Sequence, residues 1–341
     1  MILRLLPLLF LFTACTPADR SLELASGWKG RVIAEWRDSM PDMLLLDSER
    51  QLLYVSCETA ANLLAPSLAR IDLKSGNREI LLYGLARADG LKMAADGSLW
   101  LGEEVPGGAV WRIGHPHLLP PGQRIDRDLD QASHPDLLRQ TAAGRMAHEG
   151  LAFSGDGRFL YLADEWSEGC LFRLELASGA LSVLTASGWV AVSGNDTRIE
   201  AERKHGRLFD RIEDLERLPD GRIALAETGN GDAQGRVLLL SDGDTPTITT
   251  LIADAGLHHP DNLEWDAARR WLWISDDDSP SQLLAWDGTK LMRMARSETA
   301  EITGVESGPD GAIYLNLQHA RSGPDMTLQL RGPKLADVAQ P

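Results

Sequence analysis

Carboxylates recur in this 341-residue sequence where strand-forming stretches begin and end. The stretch HEGLAFSGDGRFLYLADE (148–165) shows the layout: an acid, an apolar run, an Asp-Gly turn, a second apolar run and two closing acids. Segments 41–58, 88–104, 212–228, 260–277 and 302–318 repeat it. Aligned on the first acid, the repeats place Asp42, Asp89, Glu149, Glu213 and Asp261 at one register, with Thr303 in the last. The second runs end on Glu58, Glu104, Glu165, Thr228, Asp277 and Gln318, preceded by Cys57, Glu103, Asp164, Glu227, Asp276 and Leu317. Asp and Glu are poor strand formers, so nothing local asks for them. Brought together they repel unless protonated or bridged by cations. Hard oxygen donors suit Ca²⁺ or Mg²⁺, and carboxylates in a mixed ligand set also suit iron or manganese. The candidate metal ligands are therefore Asp42, Asp89, Glu104, Glu149, Glu165, Glu213, Asp261 and Asp277. The bland alternative is a ring of solvated acids at loop edges.

Other polar residues border this register. Arg211 stands two residues before Glu213, on the same side in a strand. It could hold a phosphate in bidentate fashion or form a salt bridge with Glu213. His148, His258, His259 and His319 lie beside the acids, His148 being the one taken as a substrate contact, and Trp166 follows Glu165 as a candidate wall. Trp100, Trp271 and Trp273 alternate within strands and read as core. The glycine-rich GNGDAQG (229–235) precedes a strand rather than a helix, so it is a loop and not a phosphate cradle. No nucleophile-elbow, zinc or dinucleotide motif is present.

The elements that must position the acids follow from the repeat. Each segment reads as strand, tight turn, strand, with Asp96-Gly97, Asp156-Gly157, Asp220-Gly221 and Asp310-Gly311 as turns. Third and often fourth strands follow, and the repeats start 42 to 64 residues apart, which fits a four-stranded propeller blade. The expectation is an all-β, six-bladed β-propeller over 31–332, with RVIAEW (31–36) completing the last blade and closing the ring. Antiparallel pairing sets both groups of acids at one end of their hairpins, hence at one mouth of the channel. Insertions at 114–147 and 186–210, the second with a short helix-like patch, are expected to roof that face.

Composition narrows the partners. A formal net charge of −16 without a Lys/Arg run excludes a phosphate backbone as partner, so no nucleic acid is expected. Residues 1–14 read as an export signal, with 15–30 as a linker and 333–341 as a tail. Phe12-Thr13-Ala14-Cys15 resembles a lipoprotein box with Phe in place of the usual Leu, which makes Cys15 an acylation site. Thr16 after it resembles an outer-membrane address. The chain is thus expected to be an exported monomer, membrane-bound only through its lipid, with a small-molecule substrate. Cys57 and Cys170 fall two repeats apart and are expected as unpaired thiols.

The ordered pieces WLGEE (100–104), HEGLAF, LYLADE, FDRIEDLE (209–216), PDNLEW, LWISDD and EITGVESGPDGAIYLNLQH (301–319) resemble the PhoX-type alkaline phosphatases. That resemblance implies phosphate-ester hydrolysis at a polycarboxylate site holding calcium and iron. Glu149 and Glu213 would be metal ligands at the catalytic centre, Arg211 would hold phosphate, and Glu104 and Asp261 would support calcium. The family's iron-ligating cysteine is replaced here by Asp89, which also admits a calcium-only site. The alternatives are a gluconolactonase-like lactonase using one divalent ion, with Glu149, Asp261 and Asn262 as its ligands, and a non-catalytic calcium-binding propeller.

Overall fold

The computed structural model describes residues 22–60, 64–231, 234–243 and 245–333. The signal at 1–14, the acylation site Cys15 and the tail beyond Pro333 lie outside the described residues.

Six antiparallel sheets form the blades of a propeller, each opened by one repeated hairpin. Their innermost strands are Pro41–Asp47, Ala88–Met93, His148–Phe153, Ile212–Arg217, Pro260–Asp266 and Glu301–Ser307, which define blades 1 to 6. Blade 6 takes its outer strand from the N-terminal end of the chain. Lys29–Trp36 pairs with Asp325–Arg331, so the ring closes as the repeat count implies. The segment just before, expected as linker, carries another strand: Leu22–Leu24 pairs with the outer strand of blade 5. One short stretch of chain therefore ties blade 5 to blade 6.

The hairpin turns are set by their aspartates. The side chains of Asp96, Asp156, Asp220 and Asp310 each accept the backbone N–H two residues on, at 2.9–3.2 Å, which closes an Asx turn. Alternating Val, Leu, Ile and Trp on the blade faces then meet the next blade. Six apolar clusters result, one at each junction. Tyr54, Leu68, Leu91 and Trp111 fill the junction of blades 1 and 2, and Trp36, Leu53, Ile71 and Tyr314 that of blades 6 and 1. Trp100 and Trp273 are buried in such junctions, as their alternation implies. Cys57 and Cys170 are free, buried thiols.

The two insertions do not roof the mouth. Residues 123–126 pair in parallel with the outer strand of blade 1, and Leu137–Arg139 becomes the outer strand of blade 2. Gly188–Val192 extends blade 3, followed by a helix over Thr197–Arg203. Edge strands carry unpaired backbone groups, and these segments are taken up in covering them. Neither insertion contributes a residue to the mouth.

A β-bulge sits in every inner strand beside the repeat register. Asp42 and Met43 face the single residue Ser56, because pairing shifts between Pro41↔Cys57 and Leu44↔Val55. Equivalent shifts follow Ala88, His148, Ile212 and Pro260, and in blade 6 Thr303. A bulge bends the strand and re-aims its side chains. It also packs neighbouring inner strands closely. A Cβ on Gly90 would lie 1.8 Å from the Glu149 carbonyl oxygen of blade 3. Gly90→Ala is expected to lower unfolding free energy by about 3 kcal/mol, the cost of overpacking a tight contact. Gly97→Ala, at an open turn with φ +80°, should cost only about 1 kcal/mol. Equal denaturant midpoints for the two variants would refute this packing account.

Candidate metal centre

The inner-strand acids meet at one end of the channel. A cavity of about 320 Å³ there is lined by Asp42, Glu58, Asp89, Glu104, Glu149, Glu213, Asp261, Asp277 and Glu301, with Arg87, Arg211 and His319. Asp42, Asp89, Glu149, Glu213 and Asp261 form its floor and are buried, the most open at 7% exposure. The crowding read from the register is thus a feature of the folded chain. Oxygens of Glu149, Glu213 and Asp261 come within 4.8 Å of one another, as do those of Glu104, Glu149 and Glu165. Oδ1 of Asp89 and Oε2 of Glu149 are buried without a hydrogen-bond partner.

Alternation splits the acids into two kinds. The floor acids face the channel. The acids one residue before the ends of the second strands face the blade interior, where they clamp the loop that leads into their own inner strand. Glu103 accepts from Ala86 N, Asp164 from Ala147 N, Glu227 from Asp210 N and Asp276 from His259 N, at 2.5–3.1 Å. Three of the four also hold an arginine: Arg127 on Glu103, Arg198 on Asp164 and Arg236 on Glu227. These four carboxylates orient the site without being open to it.

Two guanidinium groups bridge floor and rim. Arg87 donates from Nε and Nη2 to both oxygens of Glu104 at 2.8 Å and also pairs with Glu58. Arg211 donates from Nε to Glu165 and from Nη2 to Glu213, both at 2.6 Å. Of the two roles open for Arg211, the salt bridge is therefore formed. Arg87 precedes Asp89 by two residues just as Arg211 precedes Glu213, and both adopt a left-handed backbone, φ +43° and +59°. Blade 6 offers neutral donors instead. The Thr303 hydroxyl lies 2.6 Å from Asp42 Oδ1, and Gln318 Nε2 donates to Asp42 Oδ2 and Glu58. Both oxygens of Asp42 are thus engaged, which sets it apart from Asp89 and Glu149.

Several sequence expectations are corrected here. His148 is fully buried, with Nε2 3.4 Å from the Gly144 carbonyl. Burial pulls its pKa down to about 4, and it contacts no part of the mouth. Trp166 lies away from the cavity, under Arg198 at 4.5 Å. Asn262 is spent on structure: its side-chain oxygen accepts from the Ser275 hydroxyl and from Gly304 N, so it is no metal ligand. Glu301 and Arg87 escaped the sequence reading, and Thr303 and Gln318, placed at the register, were given no role there. Both carried a signal in their spacing: Arg87 precedes Asp89, and Glu301 precedes Thr303, by the same two residues that separate Arg211 from Glu213. The donors around the cavity are carboxylates with no thiol, a set that fits a hard cation such as Ca²⁺; iron finds no support.

Below the floor lies a second charged layer. Lys92 Nζ donates to Glu216 at 2.9 Å, across from Glu264 and Glu306. Each of these follows its floor position by three residues. In a regular strand such residues point to opposite faces; the bulge between them turns both into the channel.

No family model matches the sequence, and no curated protein does. Solved structures match at low identity. A gluconolactonase from Xanthomonas campestris is 14% identical, with 91% of each chain covered and a TM-score of 0.60. A putative gluconolactonase is 14% identical, covering 93% of this chain and 96% of its own, with a TM-score of 0.58. The PQQ-bound aldose sugar dehydrogenase of Streptomyces coelicolor is 14% identical, covering 91% of this chain and 99% of its own, with a TM-score of 0.53. At such identities the likeness establishes the fold, an all-β six-bladed propeller. The resemblance to PhoX-type alkaline phosphatases is overturned: the matching propellers are of gluconolactonase and sugar-dehydrogenase kind, and neither a family model nor a curated protein supports a phosphatase.

Burial, and next to it the neighbouring carboxylates, raise the pKa values of Asp89, Glu149 and Asp261 well above normal. Asp42 is pushed up to about 7, Glu104 to about 8 and Glu301 to about 9, burial being the largest cause in each. In the unfolded chain these groups titrate near ~4. Between that value and 7–9 the cation-free folded protein holds more protons than the unfolded one, so its stability falls as pH rises. The melting temperature of chelator-treated protein should drop between pH 5 and pH 9, and the rise on adding Ca²⁺ should grow over the same range. A calcium increment independent of pH would contradict this electrostatic reading.

Proposed function

We propose that this protein is a divalent-cation-dependent hydrolase that opens sugar-acid lactones. One observation carries the proposal: Glu149, Glu213 and Asp261, from blades 3, 4 and 5, bring carboxylate oxygens within 4.8 Å on the floor of an open cavity. The likeness in fold to gluconolactonases supports the choice of substrate. A cation held by these three residues would supply a Lewis acid for the lactone carbonyl oxygen. Asp89 has a buried, unpartnered oxygen at Oδ1 and is the group suited to take a proton from the attacking water. Attack breaks the ring ester bond, the ring oxygen leaves as a hydroxyl with the proton returned by Asp89, and a hydroxy acid results. Arg87 and Arg211 at the rim offer positive charge to the carboxylate so formed. Acylation at Cys15 would hold the enzyme, as a monomer, at the outer membrane.

A sugar dehydrogenase using a polycarboxylate quinone is less favoured. Nine carboxylates line the cavity against two arginines that are already paired, an unwelcoming field for another polyanion.

Lactone opening can be followed by acid release from glucono-δ-lactone and related sugar lactones, above the spontaneous rate. Activity should vanish on chelation and return with Ca²⁺. Glu149→Gln and Asp261→Asn should each lower kcat/KM about 100-fold, the usual effect of removing one electrostatic stabiliser. A folded, calcium-loaded wild-type protein that opens no lactone of the panel would overturn the proposal.

A further inference from the structure

We propose that the mouth holds two cations, not one, with Glu149 as the bridging ligand between them. The inference rests on the cation site of the proposed function and concerns its neighbour. Two groups of carboxylate oxygens meet the distance condition, each within 4.8 Å: Glu149, Glu213 and Asp261, and Glu104, Glu149 and Glu165. Glu149 is common to both. It is only 5% exposed, and its Oε2 is buried with no hydrogen-bond partner. A carboxylate so placed can give one oxygen to each ion. An unpaired buried oxygen costs free energy unless something positive meets it.

Charge points the same way. Nine carboxylates line the cavity against two guanidinium groups. One divalent ion leaves most of that excess uncompensated, and like charges at this spacing do not stay ionised alone.

The two positions differ in what they must displace. In the first group Arg211 holds only Glu213. In the second, Arg87 holds both oxygens of Glu104, and Arg211 holds Glu165. The second ion therefore has to draw two carboxylates away from arginines. Arg87 then retains Glu58. Binding should be sequential, the Glu149–Glu213–Asp261 position filling first and the Glu104–Glu149–Glu165 position at higher concentration.

Calorimetric titration of chelator-treated full-length protein with CaCl₂, checked by elemental analysis of the saturated protein, tests this. Wild type should bind two Ca²⁺ in two resolved steps. Glu104→Gln should bind one, with the tighter step kept, and Glu165→Gln, at the rim, serves as a second variant should the first fold poorly. Asp261→Asn should weaken the tighter step at least tenfold. One Ca²⁺ per wild-type chain at saturation would overturn the two-ion site while leaving a one-ion lactonase intact. Two Ca²⁺ in both rim variants would overturn the assigned ligands. No bound Ca²⁺ at all would sink this inference and the cation-dependent function together. Two bound ions without lactone opening would uphold the site and reject only the activity.

Discussion

Five buried carboxylates from five different blades share the floor of one cavity, and that crowding is the constraint on which the rest of the molecule turns. Each of them would be tolerable at a surface. Packed together away from water, they keep their charge only if positive groups reach them. The chain supplies two arginines and the neutral donors of blade 6. This internal compensation is partial, since Asp89 and Glu149 still carry oxygens without a partner. A bound cation would relieve this shortfall. The crowding also has a cost in stability, because burial raises the pKa values of these acids above their ordinary range.

Holding such a set requires a rigid frame, and the propeller provides one by an indirect route. The apolar clusters lie between blades, not beneath the acids, so the junctions fix the angle of every inner strand. The bulges then turn one acid per blade toward the axis. The inward-facing acids Glu103, Asp164, Glu227 and Asp276 fasten the loops just before those strands. Two residues adjacent in sequence thus serve opposite ends of one task. Glu227 anchors a loop from inside its blade, and Thr228 beside it lines the cavity.

Much of this was legible in the sequence, for physical reasons. Strand, Asp-Gly turn and strand recur with the acid at a fixed place, and antiparallel pairing leaves one place for the acids to go. Ring closure by residues 31–36 followed from a repeat count that left one strand over. What stayed hidden depended on local geometry that periodicity does not encode. Alternation alone treats residues 89 and 92 as opposite faces; the bulge puts Asp89 and Lys92 on the same one. His148 sits next to Glu149 in sequence, yet its side chain points into the blade, where burial keeps it neutral. Asn262 beside Asp261 had the right chemistry for a metal ligand, but the Ser275 hydroxyl of blade 5 and Gly304 N of blade 6 already occupy its oxygen. The insertions had the right chain position for a roof, but the exposed edges of blades 1 to 3 took them up instead. The phosphatase resemblance rested on short motifs around these same acids. Short motifs of this kind do not fix a chemistry, which lives in the site and not in the fold.

The asymmetry of the ring bears on which chemistry it serves. A symmetric six-acid ring would bind a cation on the axis and leave every direction of approach equivalent. Here blade 6 presents Thr303 and Gln318, and both fasten Asp42 of blade 1. On that side Asp42 is fixed, and the carboxylates of Glu58 and Glu301 line the cavity beside it. On the other side, Glu149, Glu213 and Asp261 converge, with Asp89 free at Oδ1. Glu149, Glu213 and Asp261 are the residues that would hold a cation, on the side of blades 3 to 5. A small polar ligand entering the cavity would meet Gln318 on the blade 6 side. For the proposed lactone opening, a cation held by Glu149, Glu213 and Asp261 would supply the Lewis acid for the negative charge developing on the carbonyl oxygen. Thr303, Gln318 and Thr228 in place of acids break the symmetry of the ring, while blade 6 still contributes Glu301 to the cavity.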